Sequence, residues 1–452
     1  MIELSKLNRI HFIGIGGIGM SALAKYFLFK NFKISGYDRI ETNLTQNLFN
    51  EGAFIKYEDN INLFPNIGEI DLVVYTPAIT EDNNQMKFFK ENKIPMYKRA
   101  KVLGMITNNY NTIAIAGTHG KTTTSSISAH IINRSQKGGV AFLGGIANNY
   151  NSNILLSKGN LAVVEADEYD RSFLELKPNT IVLTSMDADH LDVYEKRVNV
   201  EESFLEFTDL ISDRNKLIVE NSLKGYFGQS LTYGFSSESD LQIINLKIKN
   251  NSYSFDFKYQ DELHAGFTFK LPGRYNLLNA AGAVFSCLIN GISFDNIKEG
   301  LDSFSGVKRR FEVHVENHRY IFIDDYAHHP KEIKVLINAI REFYPKRKIK
   351  GIFQPHLFSR TRDFIHEFSD SLSMLDELII LPIYAARERP IEGVSSSVLY
   401  EMVNLDKKFL SKGGDDYFNQ LYSKSPCVIV TIGAGDINLH VDKINNLLSQ
   451  NA

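Results

Sequence analysis

The stretch Thr112-Ile-Ala-Ile-Ala-Gly-Thr-His-Gly-Lys-Thr-Thr-Thr124 decides how the rest of the chain is read. Its apolar, partly β-branched start stops at Gly117, and Gly120, Lys121 and three threonines follow at once. This pattern predicts a buried strand turning into a helix N-terminus. Such a turn suits phosphate: glycines let backbone N–H groups point at an anion, and the helix dipole adds partial positive charge. Lys121 has the length to reach β and γ phosphates, and Thr122 offers a hydroxyl to Mg²⁺. The standard G-x-x-x-x-G-K-[ST] spacing is not met, because Ile115 stands where its first glycine belongs; a shortened G-x-x-G-K-T loop remains. The plain alternative is a tight strand-to-helix turn carrying a solvated lysine.

The chain has 452 residues, enough for about three domains. With 43% apolar and 23% charged residues it has the make-up of a globular protein with an ample core. A net charge of −3 gives no bulk attraction to nucleic acid or to an anionic membrane. Cys287 and Cys427 lie far apart and outside any metal-ligand spacing, as expected of core residues in a reducing compartment. No apolar run approaches the roughly 18 residues of a membrane span, and no signal-peptide pattern opens the chain. A cytoplasmic location is expected.

Upstream, Ile10-His-Phe-Ile-Gly-Ile-Gly-Gly-Ile-Gly19 is a strand opening into Gly14, Gly16 and Gly19, spaced G-x-G-x-x-G, with Gly17 and Ile18 between them. A second strand ends at Asp38, which completes a dinucleotide-fold fingerprint. The physical content is a loop that lets a pyrophosphate approach backbone amides. NAD, FAD and a UDP-sugar all carry one. Asp38 is placed to hold a ribose hydroxyl or a base edge, or to cap a turn. A third strand, Asp71 to Tyr75, ends at Thr76-Pro77-Ala78, again where such folds bind ligands.

Beyond the phosphate loop, a strand (Leu161 to Val164) delivers Glu165-Ala-Asp-Glu-Tyr-Asp170, and another (Thr180 to Thr184) delivers Met186-Asp-Ala-Asp-His190-Leu-Asp192. Hard oxygen ligands with one histidine suit Mg²⁺ or Mn²⁺ bridging nucleotide phosphates. Taken singly, Glu165 reads as a solvated strand end and His190 as a loop histidine; their joint placement after core strands favours ligation. From Asp240 to Lys270 the period becomes two, which predicts antiparallel strands beside the main sheet. Leu271-Pro-Gly-Arg-Tyr-Asn276-Leu-Leu-Asn279 then starts an apolar helix with two amides one turn apart, suited to capping or to an adenine edge. After a linker near Asp302 to Val307, strands and helices alternate to the end. Two loops there, Asp324-Asp-Tyr-Ala-His-His-Pro330 and Gln354-Pro-His-Leu-Phe-Ser-Arg-Thr-Arg362, cluster histidines and arginines suited to carboxylate or phosphate, or to a solvated rim.

Together, Gly14-Ile-Gly-Gly-Ile-Gly-Met-Ser21, Gly117-Thr-His-Gly-Lys-Thr-Thr123, Glu165-Ala-Asp-Glu168, Asp187-Ala-Asp-His190, Gly273-Arg-x-Asn-x-x-Asn-Ala280, Lys308-Arg-Arg-Phe-Glu312, the Asp324 to Pro330 run and Gln354-Pro-His-x-x-x-Arg-Thr361 occur in one order. That order resembles the Mur ligases, over the chain from about Asn8 to Asp436. The resemblance implies a three-domain α/β protein. Its parts are an N-terminal Rossmann-like UDP-sugar domain (1–106), a central P-loop ATPase-like α/β domain with extra antiparallel strands (107–306), and a C-terminal Rossmann-like α/β domain contacting amino acid and nucleotide (307–452).

The resemblance further implies ATP-driven joining of L-alanine to the lactoyl carboxylate of UDP-N-acetylmuramate in peptidoglycan synthesis, with ATP and Mg²⁺ or Mn²⁺ as cofactors. It implies no nucleic-acid or membrane partner, and a monomer or weak homodimer. By the same resemblance, Gly117, Thr118, His119, Gly120, Lys121, Thr122, Thr123, Asn276, Asn279, Arg310 and Asp325 contact ATP. Thr122, Glu165 and His190 hold metal. Gly14, Gly16, Gly17, Ile18, Gly19, Asp38 and Thr76 bind the UDP-sugar, and His328 and Arg360 stand near the reacting groups.

Two departures stand out. Val198 to Ser212 lacks the lysine that several relatives carbamylate, as in the alanine-adding branch, and Leu357 stands where members often carry arginine, which shifts carboxylate recognition to Arg360 or Arg362. The alternative within the family is the recycling ligase that adds a preformed tripeptide to the same UDP-sugar. Outside it, a Rossmann oxidoreductase explains Gly14 to Asp38 but leaves Lys121, Thr122, Glu165 and His190 without work, and a nucleotide-switched binding protein predicts no turnover.

Overall fold

The computed structural model describes residues 3–186, 197–249, 251–386 and 388–450. Three sheets carry the chain. The first is five parallel strands in the order β3-β2-β1-β4-β5: β1 (Arg9–Ile13), β2 (Lys33–Tyr37), β3 (Phe54–Lys56), β4 (Leu72–Tyr75) and β5 (Met96–Lys98). The order reverses between β1 and β4, so the glycine loop after β1 and Thr76 after β4 flank the crevice where doubly wound sheets take ligands.

The second sheet has ten strands in the order β15-β14-β13-β12-β11-β10-β6-β9-β7-β8. They are β6 (Asn111–Ala116), β7 (Gly139–Ala147), β8 (Ser152–Leu156), β9 (Leu161–Glu165), β10 (Thr180–Leu183), β11 (Leu217–Glu220), β12 (Leu231–Gly234), β13 (Leu241–Lys249), β14 (Ser252–Tyr259) and β15 (Glu262–Phe269). β6 lies between β9 and β10, parallel to both. Ile113, Ala114, Ile115 and Ala116 are fully buried, as a strand covered on both faces requires, so it reads as an unbroken apolar run. The period-two segment extends this sheet: β13, β14 and β15 are neighbours joined by two-residue connections too short for anything but antiparallel pairing.

The third sheet runs β16-β17-β21-β18-β19-β20, from β16 (Glu312–Glu316), β17 (Tyr320–Asp325), β18 (Lys348–Phe353), β19 (Glu377–Ile380), β20 (Lys408–Leu410) and β21 (Cys427–Ile432). Only its edge strand β16 is antiparallel, pairing with β17. Two short helices, Phe358–Asp363 and Ile365–Leu372, follow β18 and stay separate because Phe364 leaves the helical region at φ −122° and ψ 24°. Cys287 and Cys427 are buried free thiols.

These sheets form two compact units. One comprises Met1–Lys247, Ser254–Phe269 and Leu278–Ser305, the other Ile248–Tyr253, Lys270–Leu277 and Gly306–Ala452. In the first, the helix Ile18–Phe29 packs on both the five-strand sheet and the β7–β8 hairpin, and one hydrophobic core runs through both. Tyr26 meets Phe142 at 5.6 Å, and the buried Asn153 donates from Nδ2 to Ile18 O (2.6 Å) and Ser21 Oγ (2.9 Å). In the second, Tyr253 donates its hydroxyl proton to Glu342 (2.6 Å) and packs on Phe343, which ties the Ile248–Tyr253 segment to that unit. Among the described residues no helix is long and apolar enough to cross a membrane.

Candidate active site

Three adjacent strand ends, those of β9, β6 and β10, build the centre of the site in the first unit. Gly117 to Gly120 turn β6 into the helix Lys121–Arg134, with Gly120 as its N-cap at φ +82°. Thr184 Oγ, at the end of β10, donates to Ala116 O (3.1 Å) and His119 O (2.5 Å); Ser185 Oγ accepts from His119 N (2.8 Å) and bonds Thr118 Oγ1 at 2.9 Å. The loop is therefore braced from the neighbouring strand. Thr122 and Thr123 are buried in the first helical turn. Gly120 lies against Asn279: a Cβ there would sit 2.2 Å from its Oδ1, so glycine lets that amide reach the loop.

Lys121 donates from Nζ to Gly117 O (2.6 Å) and pairs with Glu168 at 2.9 Å. Burial alone would lower its pKa. Glu168, Asp167 and Glu165, with the hydrogen bond to Glu168, outweigh that and hold the lysine above its ordinary value, so it is a fixed cation. Glu168, 1% exposed, is a candidate site residue that the sequence reading left without a role. The Glu-Ala-Asp-Glu run carries it, yet only the fold shows that the loop lysine lies opposite.

Glu165 ends β9 and accepts from Thr122 Oγ1 (3.0 Å) and from Gly144 N (2.9 Å). Gly144 is exposed but crowded on one side, because a Cβ there would lie 2.3 Å from Glu165 Oε2. Gly144→Ala is therefore expected to push the carboxylate aside and, with Glu165 as a ligand of a divalent cation, to raise the cation concentration for half-maximal turnover by about tenfold or more. Its unfolding free energy should stay within about 0.5 kcal/mol of the parent. Metal titrations of turnover, with a denaturant melt alongside, check both. His190, with Asp187 to Asp192 around it, lies outside the described residues.

At the crevice of the first sheet, Gly14 (φ +86°) and Ile15 donate their N–H groups to Tyr37 O, and Gly16 N donates to Asp38 Oδ2 at 2.7 Å. Asp38 Oδ1 accepts from Arg39 N (2.8 Å), so this carboxylate braces the turn. Gly17 is the N-cap of the helix that Ile18 and Gly19 begin. Thr76 abuts Gly14, with its Cγ2 2.8 Å from where a Cβ would stand, and Arg99, unremarked in the sequence reading, comes within 3.0 Å of the same position at Gly19.

The second unit gathers Arg309, Arg310, Asp325, Tyr326, His328, His356 and Arg360 at the ends of β17 and β18. The guanidiniums of Arg309 and Arg310 lie 4.9 and 5.0 Å from the Tyr326 ring. Asp325 accepts from Phe311 N (2.7 Å) and Ala327 N (2.8 Å). Burial pushes it up to about 6 despite Arg310 and those bonds. Tyr275, half-buried in the field of Asp325 and Arg310, also lies beside this cluster, which sequence reasoning did not single out. Asn276, by contrast, donates to Pro272 O (2.7 Å) at the start of its helix.

Because the folded chain holds the Asp325 proton more tightly than the unfolded chain, the sign is fixed. This group's stabilisation is full below about pH 4 and is lost as pH rises through about 6. Asp325→Asn should flatten that part of the stability profile, at most about 3 kcal/mol between pH 4 and 7.5. Denaturant melts at the two pH values measure it.

His328 Nδ1 donates to Tyr326 O (3.0 Å), which fixes the tautomer and makes Nε2 the ring's acceptor. Burial lowers its pKa, assisted by Arg360 and Arg310 against Glu332, so the ring is neutral near pH 7. His356, lowered by burial to about 4, stacks on Tyr384, and Arg360 Nη1 lies 3.5 Å from its Nδ1. Leu357 enters the Arg360 helix at φ +70° and ψ 138°, a strained setting for a branched residue, held by its N–H bond to Tyr384 O (3.0 Å). No guanidinium stands at 357, and Arg360 is the guanidinium in contact with His356.

A parallel-sheet nucleotide fold with a lysine- and hydroxyl-bearing phosphate loop beside a carboxylate is the plan of the Mur ligases, and the chain belongs to that family. The family models for the catalytic domain, the middle domain and the glutamate ligase domain match residues 9–111, 115–287 and 309–418. Among named relatives, the UDP-N-acetylmuramate--L-alanine ligase of Flavobacterium psychrophilum is 46% identical over 99% of this chain and 100% of its own length. That of Cytophaga hutchinsonii is 41% identical over 99% and 98%. The crystal structure of UDP-N-acetylmuramate-alanine ligase from Thermotoga maritima superimposes with a TM-score of 0.84 at 25% identity, covering 98% of this chain and all of that one. A murein peptide ligase from Psychrobacter arcticus, at 19% identity and a TM-score of 0.71, shares the fold.

Proposed function

We propose that this protein is an ATP-dependent ligase that joins L-alanine to the lactoyl carboxylate of UDP-N-acetylmuramate, releasing ADP and phosphate in the cytoplasm as a step of peptidoglycan synthesis. The observation that carries the reading is the end-to-end likeness, at 46% identity, to a ligase of that name. The braced phosphate loop supports it. In this reading the three domains divide near residues 106 and 306, the loop Gly14–Gly19 with Asp38 and Thr76 receives the UDP-sugar, and the loop Gly117–Thr123 with Asn279 receives ATP.

The donor set around Thr122 fits a hard divalent cation, since a hydroxyl and a carboxylate oxygen stand 3.0 Å apart at the mouth of the loop. Thr122 and Glu165 would hold one Mg²⁺ or Mn²⁺, which would offset charge on the phosphoryl oxygens, and by the family resemblance His190 would hold a second ion near the muramoyl carboxylate. Lys121 lets go of Glu168 to meet the γ-phosphate. The lactoyl carboxylate attacks phosphorus in line and ADP leaves, giving an acyl phosphate. The alanine amine, having given up a proton, then attacks the acyl carbon and phosphate departs. His328, neutral and with Nε2 as acceptor, is suited to take that proton, and Arg360 to hold the alanine carboxylate. Arg310, Asp325 and Asn276 complete the nucleotide contacts.

Phosphate release with UDP-N-acetylmuramate, ATP and each of L-alanine, L-serine, glycine and the recycling tripeptide tests this. L-Alanine should give the highest kcat/KM. Preference for the tripeptide would replace this reading by the recycling ligase.

A further inference from the structure

The edge of the C-terminal sheet carries a cluster that the ligase chemistry does not use. Glu312 and Asp324 are cross-strand partners on β16 and β17. His314, two residues from Glu312, is the residue left over where the register shifts between Val313 and Val315. One ligating atom from each of the three lies within 4.8 Å of the others. His314 Nε2 is fully buried and, 3.6 Å from Glu312 Oε2, makes no hydrogen bond. A buried ring nitrogen left so is costly unless something absent from the protein chain meets it.

We infer that Glu312, His314 and Asp324 form a second divalent-metal site, separate from the one at Thr122 and Glu165. Two carboxylates and one imidazole favour a borderline first-row ion, such as Zn²⁺, Co²⁺ or Mn²⁺, over Mg²⁺, which prefers an all-oxygen shell. Asp324 is 1% exposed, accepts from Thr431 Oγ1 (2.6 Å) and has Arg309 Nε at 3.7 Å. Glu312 accepts from Arg309 N at 2.8 Å. A carboxylate has about four lone-pair positions, so each keeps room for a metal bond. Arg309 supplies one positive charge against two negative ones, which leaves a site of net −1 with the imidazole neutral. Asp324 and Asp325 are successive strand residues and face opposite sides of the sheet, so this site is distinct from the nucleotide contact proposed for Asp325. Bound there, the ion cross-links the edge strand to β17 and steadies the Arg309 segment.

Equilibrium dialysis of the full-length protein against Co²⁺, with Mg²⁺ in large excess, tests the site. The parent should bind one equivalent of Co²⁺ that His314→Gln and Glu312→Gln lose and Glu165→Gln keeps. Equal stoichiometry in the parent and His314→Gln, or loss of that equivalent in Glu165→Gln instead, would overturn the inference. Where a variant fails to fold, zinc-edge anomalous scattering from parent crystals soaked in Zn²⁺ decides. A peak between the three side chains supports the site, and a water or nothing there overturns it. Neither readout depends on ligase activity, so the proposed function stands or falls separately.

Discussion

Lys121→Ala is expected to lower ATP-dependent ligation roughly a thousandfold or more, the scale seen when a preorganised cation or donor at a phosphoryl or acyl centre is removed. UDP-sugar binding, proposed to rest on the separate Gly14–Gly19 loop, should persist by calorimetry. The structure adds a complication to this substitution. Lys121 is the partner of Glu168, whose side chain is 1% exposed, so alanine leaves a buried carboxylate without its counter-charge. Breaking such a pair from one side costs about 3–5 kcal/mol. The single variant is therefore expected to be both inactive and less stable, so its lost turnover does not by itself assign the lysine to the chemistry. Lys121→Met combined with Glu168→Gln separates the two, because it removes both charges and keeps most of the volume. Its melting temperature should return most of the way to the parent's, and its turnover should not return at all. ADP release near the parent rate by Lys121→Ala, with all substrates present, would remove the lysine from the chemistry.

Much of this site was legible because buried parallel strands advertise themselves. Ile113 to Ala116, Leu161 to Val164 and Ile181 to Leu183 are unbroken apolar runs, and the polar residues that follow each must emerge at the same end of one sheet. Residue types near the phosphate loop were readable from that alone. Which of them touch was not. Glu168 meets Lys121 across 47 residues of sequence and Glu165 meets Gly144 across 21, and those contacts follow from strand order and register, which residue spacing does not encode. The edge strands β16 and β20 carry little sequence signal, because a bulge breaks the alternation of the first and three residues are too few for a period in the second. Leu271 to Asn279 reads as one continuous helix start, yet Lys270–Leu277 belongs to the second unit and Leu278 onward to the first. Tyr253 and Glu342, 89 residues apart, help set that division. The φ of +70° at Leu357 has no sequence signal either, since a branched residue is the last one expected there.

Gly117→Ala is expected to give the second-largest loss, about a hundredfold in turnover together with about 3 kcal/mol of stability. Gly117 sits at φ +133°, where an L side chain is strained whatever the room. There is little room: a Cβ would lie 2.2 Å from Thr184 Oγ1, 2.8 Å from Ser185 N and 2.9 Å from Ser185 O. Two of those three atoms are backbone at the end of β10 and cannot rotate away. The loop must shift instead. Moving Gly117 carries off the carbonyl that positions Lys121 (2.6 Å) and loosens the Thr184 and Ser185 bonds to His119. At Gly120 the obstacle is the Asn279 side-chain amide, 2.2 Å away, which can swing aside, so alanine there should cost less stability. Adding Thr184→Ala to Gly117→Ala removes the nearest clash and leaves the backbone ones, so only a minor part of the turnover should return. Full recovery in that double variant would mean that the hydroxyl alone enforces glycine at 117, and that the loop's left-handed turn is not what holds Lys121 in place.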